Sequence, residues 1–291
     1  MIVLDGKKTS IALKKEIKLT VDKRINNGKK IPHLAAVLVG NDGASLTYVG
    51  SKVRSCEQIG IKSTLIHLKD TISENELLQK IIQLNNDDSL DGYIVQLPLP
   101  KHINEEKILL AIDSRKDVDG FHPSNFGRMA LEMNSFIPAT PYGIMELLKR
   151  YKIETSGKHC VVIGRSHIVG RPISILMSQK GPYGNATVTV AHSRTENIKV
   201  LTRSADIIVS ALGIPEFLKA DMVKQDVVII DVGITRVPDT SHPKGYLIKG
   251  DVAYEEVARK AYAITPVPGG VGPMTIAMLL KNTLLACERR D

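Results

Sequence analysis

CVVIGRSHIVGRPISIL, from Cys160 to Leu176, runs an apolar, β-branched segment straight into a glycine turn and a helix-like stretch. Gly164 and Gly170 stand six positions apart, so the turn is not the GxGxxG spacing. Context carries the reading instead: a strand feeds the turn and a helix leaves it. Backbone N–H groups at such a helix start, helped by the helix dipole, are suited to holding a pyrophosphate. The next strand-like run, ATVTVAHSRT, ends at His192-Ser193-Arg194. A site for NAD usually has an acid here, accepting bonds from the ribose hydroxyls. This chain has a hydroxyl and an arginine, with Arg165 in the glycine turn.

Donors and positive charge suit a 2′-phosphate, so the residues favour NADP. The competing reading makes Arg194 a solvated loop residue and Arg165 a turn arginine. His192 reads as local hydrogen bonding or a rim contact. No second ligand stands at a metal-binding spacing from it, and no metal is expected.

Outward from this stretch, strand-like and helix-like runs alternate almost throughout. HLAAVLV (His33–Val39), STLIHL (Ser63–Leu68) and GYIVQLPLP (Gly92–Pro100) read as strands. SENELLQKIIQL (Ser73–Leu84) reads as a helix with Ser73 and Glu76 in a capping box. A second series starts at PATPYGIMELLKRY, where Thr140 can cap and Pro141 suits the first helical position. It continues through ENIKVLTR, DIIVSAL and VVIIDVG. Such alternation predicts an α/β fold with parallel, doubly wound sheets. The expected organisation is two α/β domains: residues 1–140, completed by a C-terminal helix over 273–291, and residues 141–272.

The bulk composition limits the classes. The chain has 291 residues, 43% hydrophobic and 24% charged, which suits a soluble globular protein. No apolar run approaches the ~18 residues of a membrane span, and the start lacks a secretory pattern. Three scattered cysteines fit a reducing cytoplasm better than a disulfide framework or a zinc site. The net charge of +8 leaves an anionic ligand open. With no long like-charge block, no Trp and four Phe, nucleic-acid binding is not expected.

Three other stretches bear on chemistry. In TYVGSKVRSCEQIGI (Thr47–Ile61), Val49, Val53 and Cys56 make one apolar helical stripe. Tyr48 and Lys52 share a face one step round from it. Alone, the pair reads as packing, an interior tyrosine beside a snorkelling lysine. KDVDGFHPSNFG (Lys116–Gly127) gathers Asp117, Asp119 and His122, and also fits a turn with Asx caps. TPVPGGVGPMT (Thr265–Thr275) also fits a connector before a proline-started helix.

Together the stretches are more specific. YVGSK, VQLPLP, DVDGFHP, TPYGIMELL, GRSHIVGRP, AHSRT and PVPGGVGPMT occur in order from residue 48 to 275. This set closely resembles the bifunctional methylenetetrahydrofolate dehydrogenase/methenyltetrahydrofolate cyclohydrolase family, over essentially the whole chain. The resemblance implies a folate-binding catalytic domain and a Rossmann-type NADP-binding domain, with the active cleft between them, usually in a homodimer. It implies NADP-dependent oxidation of 5,10-methylenetetrahydrofolate, then hydrolysis of the methenyl product to 10-formyltetrahydrofolate. The implied partners are tetrahydrofolate derivatives, with or without polyglutamate tails; neither nucleic acid nor membrane is implied.

Carried over by motif, Tyr48 and Lys52 are the active-site pair, Gln96 contacts the lysine, and Asp119 binds the pterin. Val95 and Leu97 flank Gln96 on the substrate side, which Pro268, Gly269, Gly270, Val271 and Gly272 also line. Gly164, Arg165, Ser166, Ser193 and Ile234 match cofactor contacts, and Arg194 joins them from the residue reading. The chain departs from the common pattern at Ala139 and Ala191, where many members have cysteine. The Ser178–Ala186 connection is longer than in many members.

These residue types suit the implied chemistry. Hydride transfer needs alignment more than acid or base catalysis. Hydrolysis needs water attack and proton movement, for which a desolvated lysine can serve as base. Gln96 can orient it, Tyr48 can position it, and Asp119 can accept from the pterin's N–H groups. The rivals are another dehydrogenase using Lys52 and Asp119 as its acid/base pair, and an NADP sensor without turnover.

Overall fold

A computed structural model of the chain describes residues 1–242 and 245–291. In chain order the elements begin β1 (Ile2–Val3), α1 (Gly6–Asn26), β2 (His33–Val39), α2 (Gly43–Ile59), β3 (Lys62–Leu68) and α3 (Glu74–Asn85). They continue β4 (Gly92–Val95), α4 (Glu105–Ala111), α5 (Pro123–Ala130), α6 (Ala139–Arg150), β5 (His159–Ile163) and α7 (Gly170–Ser178). Then follow β6 (Thr187–Ala191), α8 (Ile198–Ser204), β7 (Ile207–Ser210), β8 (Val227–Asp231), β9 (Thr235–Pro238) and β10 (Tyr246–Lys249). The chain ends with α9 (Tyr254–Val257), β11 (Ala261–Ile264) and α10 (Val271–Glu288). Two compact units result: Ile11–Ala139 with Ile276–Asp291, and Met1–Ser10 with Thr140–Thr275.

The first unit holds a parallel sheet in the order β3-β2-β4. β2 is buried along its whole length, and after His33 its residues are all apolar, as a strand between two neighbours and two covered faces requires. Ala35, Val37 and Val39 pack with Leu77 and Ile81 of α3 and Ile108 of α4. The predicted capping box starts α3: Ser73 Oγ accepts from the Glu76 amide at 3.2 Å, and Glu76 accepts from the Ser73 amide at 2.9 Å. Beside β4, a parallel bridge from Tyr93 to Asp117 extends the pairing. The buried Asn282 of α10 donates to the Val118 and Ile137 carbonyls at 2.8 and 2.9 Å.

The second unit holds a six-stranded sheet, β1-β11-β8-β7-β5-β6, with every pairing parallel. β9 and β10 form a separate antiparallel ribbon. Residues of β5, β7 and β8 fill one core with Val252, Val257 and Ile264.

The chain divides between Ala139 and Thr140, and its first ten residues group with Thr140–Thr275 rather than with residues 11–139. Ile2 and Val3 pair with Ala263 and Ile264 instead. A two-residue strand is too short for any hydrophobic period, so its partner was invisible in the sequence. The GYIVQLPLP strand also ends earlier than expected, at Val95, with a cis peptide between Leu97 and Pro98. Thr140 does not cap: α6 starts at Ala139, and the Thr140 hydroxyl lies 3.0 Å from that of Thr275.

Candidate active site

α2 opens with Asp42 accepting from the Ser45 amide at 2.8 Å and closes on left-handed Gly60. Its buried face reads Ser45, Val49, Lys52, Ser55, Cys56 and Ile59. Lys52 therefore lies within the core stripe, three residues after Val49 and four before Cys56, while Val53 is only half-buried. The stripe drawn from Val49, Val53 and Cys56 is rotated by one position. The helix gives up an apolar core position to a lysine that is only 4% exposed.

Tyr48 stands on α2 itself, one turn before Lys52, whereas Gln96 comes from the loop just past the carboxyl end of β4. The Gln96 amide extends the β2–β4 ladder to the Val37 carbonyl at 2.9 Å, which places its side chain. Lys52 Nζ donates to Gln96 Oε1 at 3.2 Å. Gln96 Nε2 donates to the Leu97 carbonyl at 2.7 Å, which fixes the amide's orientation. Nζ also sits 4.6 Å from the centre of the Tyr48 ring, a cation–π contact. No carboxylate among the described residues forms an ion pair with this lysine. Burial lowers its pKa below the ordinary lysine value, opposed by the negative charge of Asp119. Asp119 shifts the other way: burial raises its carboxyl above the usual range, opposed by Lys52. The structure thus brings Tyr48, Lys52 and Gln96 into contact and sets Asp119 within their electrostatic reach.

The loop carrying Asp119 is built by its neighbours. Asp117 accepts from the Phe121 and His122 amides at 3.2 and 2.8 Å and from Asn125 Nδ2 at 2.9 Å. His122 Nδ1 accepts from the Ser124 amide at 3.1 Å and starts α5. The Asx-cap reading therefore fits Asp117, which leaves Asp119 for other work. Gly120 has φ +75°, and a Cβ there would meet backbone of residues 136–138 within 2.9 Å. Val95 is buried, so backbone is what it can offer a ligand.

In the six-stranded unit the cofactor candidates gather at the carboxyl edge of the sheet, the usual ligand edge of open α/β folds. Ile163 pairs with Ala191, so the glycine turn and His192-Ser193-Arg194 leave adjacent strands side by side. A Cβ on Gly170 would lie 2.2 Å from the Gly164 carbonyl oxygen, and one on Gly164 would lie 2.3 Å from that of Ala211. Only glycines allow this turn its close approach. Ser166 Oγ accepts from the Val169 and Gly170 amides at 3.2 and 3.3 Å at the start of α7. Arg165, Ser193 and Arg194 are exposed. Among the described residues no carboxylate pairs with either arginine. A close-packed glycine turn, a helix start and two uncommitted guanidiniums fit a dinucleotide carrying an extra phosphate. His192 is engaged locally, accepting from the Arg194 amide at 3.2 Å. No group of metal-ligating side chains occurs among the described residues.

Two further features hold this edge, and one escaped the sequence reading. Ile234 is exposed, and its Cδ1 would lie 3.3 Å from a Cβ on Gly272. Pro268 follows a cis peptide, Gly269 has φ +108°, and the Gly269 carbonyl accepts from the Lys7 amide at 2.8 Å. Val271 is buried at the start of α10. The missed feature is a pair of buried acids. Asp231 accepts from the amides of Gly233, Asp251 and Val252 at 2.9, 2.9 and 3.0 Å. Asp251 accepts from the Leu212 amide at 2.6 Å. They brace the loops after β7 and β8, the second of which carries Ile234. DVG and GD, each an acid within two residues of a glycine, were the available signals: a Cβ on Gly233 or Gly250 would collide with the opposite carboxylate.

Comparison with known proteins adds to this geometry. Residues 4–119 match the family described as tetrahydrofolate dehydrogenase/cyclohydrolase, catalytic domain, and residues 138–291 match its NAD(P)-binding domain. The chain is 71% identical over 291 residues to the bifunctional protein FolD of Flavobacterium johnsoniae, covering all of this chain and 99% of that one. It is 58% identical over 289 residues to the Bacteroides fragilis protein of the same name, covering 99% of each. The crystal structure of the bifunctional FolD methylenetetrahydrofolate dehydrogenase/cyclohydrolase from Campylobacter jejuni has a TM-score of 0.94 at 48% identity, with full coverage of both chains. The Trypanosoma brucei FolD structure, complexed with NADP cofactor and inhibitor, has a TM-score of 0.94 at 36% identity, covering all of this chain and 98% of that one. With both domains matched and relatives this similar along its full length, the chain belongs to the tetrahydrofolate dehydrogenase/cyclohydrolase family.

Proposed function

We propose that the protein oxidises 5,10-methylenetetrahydrofolate with NADP and hydrolyses the methenyl product to 10-formyltetrahydrofolate. The observation that carries this reading is the buried Lys52, hydrogen-bonded to Gln96, stacked on Tyr48 and free of any ion pair among the described residues. A desolvated amine is a base that ordinary lysines are not. Bound NADP supplies the hydride acceptor. The six-stranded unit would hold it through the Gly164–Gly170 turn, with Arg165, Ser193 and Arg194 supplying donors and positive charge for the 2′-phosphate and Ile234 as a further contact. The three-stranded unit holds the folate, with Asp119 accepting from the pterin's amino and ring N–H groups. Pro268 to Gly272 line the substrate side.

Hydride loss leaves an amidinium-like cation. Water adds to the bridge carbon as one of its protons passes to Lys52, while Gln96 holds the amine and Tyr48 covers the ring system. The remaining hydroxyl proton then moves to N5 as the C–N5 bond breaks, leaving the formyl group on N10. The oxidation itself asks only for alignment. The protein works in the cytoplasm as a homodimer, on folates with or without polyglutamate tails. One absorbance assay tests the reading: methylenetetrahydrofolate and NADP are mixed with the protein, and NADPH and the methenyl intermediate are followed together. NADPH should form with little methenyl build-up. Turnover of a hydroxy or amino acid without folate turnover would favour the rival dehydrogenase, and NADP binding without any turnover would favour the sensor.

A further inference from the structure

The three-stranded unit contains a cavity of about 530 Å³ that the reaction does not use. That volume is in the range of small-molecule sites. The cavity lies at the opposite edge of the sheet from Gln96 and Asp119. Lys116 precedes the Asp117 bridge whereas Asp119 follows it, and Asp88 precedes β4 whereas Gln96 follows it.

Its lining is strongly cationic: Arg115, Lys116, Arg128, Arg289 and Arg290 face two acids, Asp88 and Asp113. Both acids are already engaged. Arg115 binds Asp113 at 2.6 Å, and Arg290 binds Asp88 at 3.0 Å. Three cations are left with no carboxylate in ion-pair contact among the described residues. Lys116 is only 7% exposed, and its ammonium donates to the Leu84 and Asp87 carbonyls at 2.9 and 2.6 Å. A buried ammonium without an ion pair is an uncommon and unfavourable arrangement.

The two arginines are held beside each other by one short segment. Arg128 Nε donates to the Asn134 carbonyl at 2.7 Å, and Arg289 Nη2 donates to that of Ser135 at 3.3 Å. The Arg289 guanidinium stacks 4.5 Å from the Phe136 ring centre. Each fork keeps N–H donors beyond these bonds. Burial lowers the Arg289 pKa, and the charge of Arg128 lowers it further, so these like charges sit close enough to repel. An anion bound between them would remove that repulsion and use the free donors.

We propose that this cavity binds a phosphate-bearing small molecule, with Arg128 and Arg289 clamping phosphate oxygens and Lys116 adding a buried positive charge. Three uncompensated cations call for a multiply charged anion, and guanidinium forks match phosphate oxygens in pairs. The remaining volume leaves room for an organic body. Ser114 and Asn134, which also line the cavity, offer it neutral hydrogen-bonding groups.

Calorimetric titration with inorganic pyrophosphate tests this, at fixed ionic strength and with NADP in excess so that the dinucleotide site is filled. One pyrophosphate should bind per chain. Arg128→Gln and Arg289→Gln should each weaken it at least about 10-fold, the scale of one charged hydrogen bond. Both variants should keep wild-type dehydrogenase and cyclohydrolase rates in the absence of pyrophosphate. Arg289→Gln also loses the Phe136 contact, so if it is poorly folded the exposed Arg128→Gln decides alone. No saturable binding to wild type, undiminished binding to the folded Arg128→Gln protein, or displacement of pyrophosphate by NADP would overturn the proposal. NADP binding is read from a separate titration of the protein without pyrophosphate, so its failure would count against the proposed function separately.

Discussion

The two units present their candidate residues in opposite ways. In the three-stranded unit the candidate residues are withdrawn from solvent: Lys52 sits inside a helix's core stripe, and its pKa and that of Asp119 are both displaced by burial. In the six-stranded unit the candidate side chains Arg165, Ser193, Arg194 and Ile234 are exposed on loops, while tightly packed glycines and buried acids brace the backbone beneath them. The contrast follows from the work required. Moving a proton needs a group whose charge state has been disturbed, and desolvation is the means. Holding a dinucleotide needs shape, N–H groups and positive charge, which exposed arginines supply.

That contrast can be broken by substitution. The largest effect should fall on hydrolysis in Lys52→Met, with a loss of at least about 10²-fold, in the range of positioned acid–base groups. Hydride transfer in the same protein should suffer less, and methenyltetrahydrofolate should accumulate. Methionine keeps length and apolar bulk, so the protein should still fold and bind NADP. A next, smaller effect is expected from Asp119→Ala. Charged hydrogen bonds to the pterin are worth roughly 1.5–3 kcal/mol, so folate affinity should fall about 10- to 150-fold and both activities with it. Unchanged folate affinity would make Asp119 another loop-builder like Asp117. The smallest effect belongs to the exposed face. Arg165→Ala should lower the preference for NADP over NAD by about 10-fold or less, since solvent screens an exposed charge. Equal use of NAD and NADP by the unaltered protein would remove the 2′-phosphate role altogether.

How much of this was legible varies with range along the chain. β2 and the α3 capping box could be read locally, from an unbroken apolar run and from a serine three residues before a glutamate. β1 could not, because a two-residue strand carries no period and its partner lies some 260 positions away. The stripe on α2 was misdrawn for a related reason. A residue scale treats Val53 as core and Lys52 as surface, whereas Gln96 and Tyr48 make the lysine tolerable inside. The Asp231–Asp251 brace was hidden because it is made through backbone amides on other loops: Asp231 accepts from Asp251 and Val252, and Asp251 from Leu212. Motif order made the family visible; the division of labour between Asp117 and Asp119 needed the hydrogen bonds.

The proposed mechanism makes buried Lys52 the base of hydrolysis and not of hydride transfer. The most direct measurement is the pH dependence of both rates in the wild-type protein and in Lys52→Met. Burial lowers the lysine's pKa, so the neutral amine should become available below the pH at which an ordinary lysine loses its proton. Wild-type hydrolysis should therefore rise with pH along an ionisation below the usual lysine range. That limb should be missing from hydride transfer, and missing from the residual hydrolysis of Lys52→Met. The same rising limb in folded Lys52→Met, at a comparable rate, would contradict the claim and leave Lys52 a packed core residue.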